Sequence, residues 1–504
     1  MSYLELLRLA APEAIVVVTA LAVLTLGLFT GRRGAGATVS VAGGADAGDT
    51  PAATSLCPVV AALGLAVASS AVLGLPQHAV LFHGMLVVSP LNSLFKIICL
   101  LLAFFTVLLT RSERSRPNEG EYLAMILLAT VGLMLLVGSE ELLMIFIGLE
   151  LTGLSLYIMT AFDKAERASA EAGLKYFLFG SMASAFTLFG LSFVYGLTGT
   201  TALGSIAQRL AAAPIAPLLG VGIVMTLIGF AFKIAAAPFH LWAPDAYQGA
   251  PVSTAAFIAS GSKVASFVVL GKIVLIGFGP LHGSADWHAM TNGWTPVLAL
   301  LAALSILIGN LVALVQRNVR RLLAYSAVAH AGYTLLGLVA AGSEGFAATL
   351  FYTTVYAITL LGAFGVVGFV RQESGGDDLA DFAGLRGRSP FLAGCMTIFM
   401  LSLAGLPPLA GFFGKFYLFS AALHAGQNHG LLWLVVLALF GSLISLYYYL
   451  IVLKAIFLDQ SNTTGFAFRP DFVGRVAVGV LAGLVLLLGL MPGVLLGRIL
   501  ASLS

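Results

Sequence analysis

Four lysines and one glutamate stand where charge is expensive. Lys233, Lys263 and Lys415 lie well inside long apolar runs, Lys175 opens the run LKYFLFG, and Glu150 sits in FIGLELTGLSLY. A charge at the middle of a bilayer costs from about 3 to above 10 kcal/mol, so it persists only if it is paired, hydrated or useful. The chemistry these groups offer is proton transfer, because a lysine held away from water can load and release a proton where an arginine cannot. Glu150 must be neutralised or paired, and the nearest basic candidate along the chain is Lys175 on the following antiparallel run. A carboxylate beside an ammonium shares a proton whose position a neighbouring charge can shift. A static ion pair is the plainer alternative, although apolar replacement of such a pair is often neutral in stability.

Lys233 stands one position before Ile234, whose carbonyl loses its helical donor to Pro238, and His240 follows on nearly the same helical face. Lys263, in the next run, is the candidate proton partner of Lys233. Lys415, in LAGLPPLAGFFGKFYLF, follows Pro407 and Pro408 much as Lys233 precedes Pro238. His240 and His330 read either as hydrogen-bonded imidazoles that hold the chain in place or as links that pass protons. Lys96 and Lys272 fall near the ends of their runs, where a long side chain is expected to snorkel to the interface. Cys57, Cys99 and Cys395 stand alone, which indicates neither a disulfide framework, a haem attachment nor an iron-sulfur site. Gly34, Gly36, Gly43 and Gly44 lie in a polar stretch with no strand before it and no helix start after it, so no phosphate loop is readable.

The elements that must position these residues follow from composition. With 60% hydrophobic and 9% charged residues in 504, the chain cannot be an ordinary soluble domain, which carries about 25% charged residues. Apolar runs of spanning length predict helices over 4–29, 57–75, 91–110, 122–138, 141–161, 173–196, 215–245, 251–276, 295–315, 321–341, 345–370, 389–423, 430–454 and 473–497. The first run carries Glu5, Arg8 and Glu13 rather than a basic leader, so it reads as a retained helix. Arginines and lysines crowd alternate loops, namely 31–56, 111–120, 163–172, 316–320 and 372–388, whereas the opposite set holds little more than Arg209. Positive charge marks the cytoplasmic side, which puts both termini in the periplasm of a bacterial inner membrane. The net charge of +3 says little about partners.

Two of the runs, 215–245 and 389–423, exceed thirty residues and contain proline well inside, so both should be broken helices whose freed carbonyls face a polar cavity. They sit five helices apart, as in two inverted units of five. The expected fold is therefore an all-α polytopic membrane protein of about fourteen transmembrane helices. Its predicted parts are a three-helix segment over 1–120 with a cytoplasmic linker at 31–56, half-channel units over 121–276 and 295–455, and a last helix in 456–504. The linker is rich in Gly, Ala and Thr and reads as flexible.

The runs LKYFLFGSMASAF, FAFKIAAAPFHLWAPDAYQGAPVSTAAFIASGSKVASF, RRLLAYSAVAHAGY and LSLAGLPPLAGFFGKFYLFSA together resemble the antiporter-like subunits of respiratory complex I, the NADH:quinone oxidoreductase, over roughly 120–455. The form HLWAPDAYQGAP and the lysine in GFFGKF look like the subunit N branch of that family. The resemblance implies a proton-translocating membrane-arm subunit. Glu150 and Lys175 would be its charged pair, Lys233 and Lys263 its central lysines, Lys415 the lysine near the exit, and His240 and His330 polar links along the axis. It implies no cofactor in this chain, with NADH, FMN, iron-sulfur clusters and quinone bound by other subunits of the complex. It also implies related antiporter-like subunits and the lipid bilayer as partners. A Mrp-type cation/proton antiporter subunit shares the broken helices and the buried lysines, and only the motif variants separate the two. A secondary solute carrier would instead need a midplane cavity with selectivity groups beyond lysine and carboxylate.

Overall fold

The computed structural model describes residues 3–37, 56–113, 118–212, 217–425, 429–460 and 471–503. Eleven helices in it are long and apolar enough to cross a membrane. The first is α1 (Ala11–Ala37), then α3 (Pro90–Leu109), α4 (Glu119–Gly138), α5 (Leu142–Thr160) and α6 (Arg167–Thr198). They continue with α8 (252–277), α9 (Trp294–Ala313), α10 (Val319–Val339), α11 (Gly342–Ser374), α13 (Leu432–Phe457) and α14 (Phe472–Leu490). Three more apolar elements complete fourteen among the described residues: α2 (Cys57–Leu73) and the two broken helices. Of these, α7 consists of Pro217–Lys233 and Trp242–Gly249, and α12 of Pro390–Ala404 and Ala410–His424.

Both breaks fall where proline removes a backbone donor. In α7 the non-helical stretch is tied to α9, where Ala237 N donates to Ser305 Oγ at 2.8 Å, and across itself, where Trp242 Nε1 of the second piece donates to the Phe232 carbonyl of the first at 3.1 Å. In α12 the Gly405 N–H closes the first piece on the Leu401 and Ser402 carbonyls, and Gly405 takes the positive φ of 85° that favours glycine there. A different irregularity marks α8, which widens into π turns at Ile258–Ser262 and Ile273–Gly277. Lys263 directly follows the first and Lys272 directly precedes the second.

The centre of the bundle is α8, α10 and α11, each with 94% of its spanning window buried, whereas only 33% of that of α6 is. The connections gather at two ends. At one, the short hairpin Ala79–Leu81 with Leu86–Val88 meets Ser139, Glu141 bridges to Ala202, and Trp287 N donates to the Gly430 carbonyl at 3.3 Å. At the other, Ser253 N donates to Glu113 Oε1 at 2.5 Å, Asn318 bridges to Asp378, and Arg111 lies 3.9 Å from Asp471. The loops thus alternate between ends in the order the charge asymmetry requires.

Several boundaries differ from the sequence expectation. The hairpin occupies what reads as a loop at 76–90, and α6 begins at Arg167 rather than 173. Helix α1 runs to Ala37, into the expected linker, whose residues 38–55 lie outside the described ones. The last run breaks at Pro492 into Phe472–Leu490 and Gly493–Leu503, because proline ends the hydrogen-bond ladder there. Lys96 and Lys272 do not snorkel to solvent: they are 3% and 1% exposed, held inside by carboxylates and carbonyls.

Candidate functional site

The register between α5 and α6 decides what Glu150 meets. A side chain on Gly173 of α6 would run into Ala161 at the end of α5, so those two positions are level. Eleven residues further into the membrane on each helix stand Glu150 and Ser184, and Ser184 Oγ donates to Glu150 Oε1 at 2.5 Å. Lys175 is only two residues beyond that level, about 13 Å short of Ser184 at 1.5 Å per residue. The expected Glu150–Lys175 pair is therefore absent. Lys175 instead reaches Glu171 at 2.6 Å and Asp245 at 2.8 Å, with its side chain 40% exposed. Asp245 also accepts from Arg321 at 2.6 Å, so Lys175 belongs to a charged cluster at the arginine-rich end.

The basic group opposite Glu150 is Lys233. Both line a small cavity of about 10 Å³ with Ser184, Thr187, Gly229 and Phe232, enough for about one water. Lys233 Nζ lies 5.7 Å from the centre of the Tyr157 ring, and it is buried with no hydrogen-bond partner among the described residues. The lysine turns away from the break towards Gly153 and Tyr157 of α5. His240 is buried on the far side of the break, its ring centre 6.2 Å from that of Tyr325.

The second half of the row is tightly bonded. Lys263 Nζ donates to the Ala327 carbonyl of α10 at 2.6 Å and lies 5.4 Å from the Tyr356 ring centre. His330 stacks on Tyr356, with centres 4.8 Å apart, and its two nitrogens bond Tyr352 at 2.7 Å and Tyr449 at 3.0 Å. Lys415 donates to the Ala404 carbonyl, one of the two freed by the α12 break, at 3.1 Å and to Ser442 Oγ at 2.9 Å. It faces the Tyr333 ring at 5.2 Å, and Tyr333 packs edge-on against His330 at 5.5 Å. Lys263, His330 and Lys415 are thus joined through tyrosines, whereas Lys175 stands outside the row.

Sequence reasoning missed Ser184, Ser442, Tyr352, Tyr356 and Tyr449 because each comes from a different helix than the residue it meets, and it missed Tyr157 and Tyr333 although they lie on the helices of Glu150 and His330. It also took Arg320 for a loop charge. Arg320 is buried, donates to the Ala250 carbonyl at 2.9 Å and is paired with Asp377, which Arg371 approaches at 3.1 Å. Among the described residues no group of three or more His, Cys, Asp or Glu is placed to hold a metal ion.

A helical membrane bundle with two broken helices and two groups of intramembrane charge, Glu150 with Lys233 and Lys263 with His330, Lys415 and their tyrosines, defines an antiporter-like membrane protein. The family described as NADH:quinone oxidoreductase/Mrp antiporter, transmembrane, matches residues 139–445. A protein of Acidobacterium capsulatum named NADH-quinone oxidoreductase subunit N 2 is 44% identical over 504 residues, covering 98% of each chain. The chain belongs to the NADH-quinone oxidoreductase subunit N family. Its fold matches a chain of respiratory complex I from Thermus thermophilus, solved with bound aureothin, at a TM-score of 0.76 and 33% identity, covering 96% of this chain and 98% of that one. A chain of the Mrp complex from Dietzia sp. DQ12-45-1b has a TM-score of 0.80 at 22% identity over 98% and 97% of the two chains, a likeness of fold alone.

Proposed function

We propose that this chain is a proton-translocating membrane-arm subunit of a bacterial NADH:quinone oxidoreductase, a translocase part that carries no redox centre itself. The observation that carries this reading is the intramembrane charge inside an apolar bundle, Glu150 with Lys233 at a shared cavity, and Lys263, His330 and Lys415 linked by the rings of Tyr356 and Tyr333. Glu150 and Lys233 exchange a proton across one water, and a neighbouring charge biases which of them holds it. Lys263 accepts the proton next, and His330 with Tyr352 and Tyr449 relays it towards Lys415. Lys175, with Asp245 and Glu171, acts at the cytoplasmic end, and His240 spans the break in α7. NADH, FMN, iron-sulfur clusters and quinone are bound by other subunits, which drive the charge shift that this chain answers. Other membrane-arm subunits, including related antiporter-like ones, are its partners within the lipid bilayer.

In this reading 121–276 and 295–455 are inverted half-channel units, flanked by the segments 1–120 and 456–504. The arginine-rich end faces the cytoplasm and both termini face the periplasm. A cysteine at Gln372 should then be labelled only from the cytoplasm and one at Met290 only from the periplasm; the reverse pattern would invert the orientation. For the function, the intact assembly is purified through this chain and placed in vesicles. NADH-driven proton uptake that is lost in Lys263→Ala while NADH-oxidising partners still co-purify is the expected result. Co-purification with no NADH-oxidising partner would overturn the reading.

A further inference from the structure

Behind the ring that faces Lys415 lies a buried amide, Asn310 of α9, packed with Tyr333 of α10 and Tyr448 of α13, which are buried as well. Both ends of the amide are engaged. Its Nδ2 donates to the Ile306 carbonyl at 2.8 Å and to the Tyr333 hydroxyl at 2.9 Å, and its Oδ1 accepts from the Tyr448 hydroxyl at 3.0 Å. The Ile306 carbonyl can only accept, so it fixes which end of the amide faces it, and Tyr333 must then receive the second N–H. The bond directions follow: Tyr448 donates to Asn310, Asn310 donates to Tyr333, and the phenol proton of Tyr333 is not spent on the amide.

Two features separate Asn310 from an amide that merely ties its own helix. A tie within α9 needs the Ile306 carbonyl alone, yet the other bonds go to phenols on two further helices. Helix α13 also leaves space for the contact, since a β-carbon on Gly441 would fall 2.8 Å from Asn310 Nδ2 and 2.9 Å from the Tyr333 hydroxyl. The next residue, Ser442, accepts from the Lys415 ammonium at 2.9 Å, so adjacent positions of one helix serve the lysine and the bond behind its tyrosine. The Tyr333 ring lies between them. Lys415 Nζ is 5.2 Å from its centre, and His330 packs edge-on against it at 5.5 Å. A shift of the ring therefore changes what both groups face, and the attraction of a cation to a ring weakens as the ring moves off.

We propose that Asn310 is a positioning residue for Lys415: by holding the Tyr333 hydroxyl it keeps the ring against the lysine ammonium and the His330 imidazole, in the arrangement that the proton relay between them needs. Asn310 acts through Tyr333 and carries no proton itself, because its amide does not titrate. The proposal rests on the proton-translocation reading above.

The test uses the intact complex in inside-out vesicles, with proton uptake and NADH oxidation recorded together for Asn310→Leu, Tyr333→Phe, the double variant and Lys415→Ala. Leucine fills the space of the amide without its bonds, and phenylalanine keeps the ring without the hydroxyl. Uptake per NADH should fall about fivefold in each single variant, the scale of one buried hydrogen bond, and no further in the double variant. A purely structural amide would instead lower the amount of assembled complex and leave uptake per NADH unchanged, which overturns the proposal. Losses that multiply in the double variant overturn it too, because Asn310 would then act by a route other than Tyr333. Should Asn310→Leu fail to assemble, Tyr333→Phe decides alone, and full uptake per NADH in it ends the proposal. If Lys415→Ala itself pumps normally, it is the translocation reading that fails; if Lys415→Ala is impaired while Asn310→Leu and Tyr333→Phe pump normally, the positioning role fails and that reading stands.

Discussion

Each proline break has a lysine beside it, Lys233 before Pro238 and Lys415 after Pro408, and the two lysines are used differently in space. At the α7 break, Lys233 makes no hydrogen bond among the described residues and shares a cavity of about one water with Glu150. At the α12 break, Lys415 is bonded to the freed Ala404 carbonyl and to Ser442, and its neighbours are the aromatic rings of Tyr333 and His330 rather than a carboxylate. The cause lies in who satisfies the broken backbone. Ser305 and Trp242 do so in α7 and leave the lysine free to turn to its counter-charge, whereas in α12 the lysine does it itself. One break therefore builds a switch, in which a proton has two nearby homes, and the other builds a fixed station on a relay. The difference shows that a sequence motif repeated in two halves need not repeat a mechanism.

The largest effect should come from cutting the two halves apart. Lys263→Met removes the group between them and should lower proton uptake driven by NADH by about a hundredfold or more, the scale of a lost positioned proton carrier. A variant that still pumps would mean the halves work separately. Glu150→Gln should leave the complex assembled, since an amide keeps shape and hydrogen bonding. It should slow pumping by about tenfold, equivalent to about 1.4 kcal/mol in the balance between the two proton homes. A normal rate in vesicles would reduce the α7 region to the same fixed station as the α12 region. The smallest effect should be Ser442→Ala. A hydrogen bond to a charged group contributes about 1.5 to 3 kcal/mol, and water with the Ala404 carbonyl recovers part of it, so pumping should slow only a few-fold. A loss as deep as that of Lys263→Met would show that Lys415 is held far more critically than its two bonds suggest.

The breaks and the buried lysines are legible in the sequence because proline and charge inside an apolar run have few physical explanations. The alternation of the loops is legible for a similar reason, since the arginines fall in loops that the structure gathers at one end. What is not legible is register. Lys175 is the nearest lysine to Glu150 along the following helix, but with Gly173 level with Ala161 it lies two residues inside that level and Glu150 eleven, so Lys175 meets Asp245 and Ser184 meets Glu150 instead. Of the tyrosines around His330, Tyr333 follows three residues on along α10, whereas Tyr352 and Tyr449 come from α11 and α13, which no local pattern relates. Lys96 and Lys272 look like snorkelling residues because their positions near helix ends are visible, whereas Glu13, Asn92 and Glu140, which draw them inward, lie far away in sequence.

The central claim is that Lys233 itself takes and gives a proton rather than serving as a fixed charge opposite Glu150. The measurement is NADH-driven proton uptake by vesicles holding the intact complex, with quinone reduction recorded in parallel, for Lys233→Arg beside Lys233→Ala. Alanine removes the carrier, and arginine keeps the positive charge but cannot lose its proton. The account predicts that both variants are impaired to a similar extent. Full pumping in Lys233→Arg, with pumping lost in Lys233→Ala, would contradict it and leave Lys233 a static counter-charge.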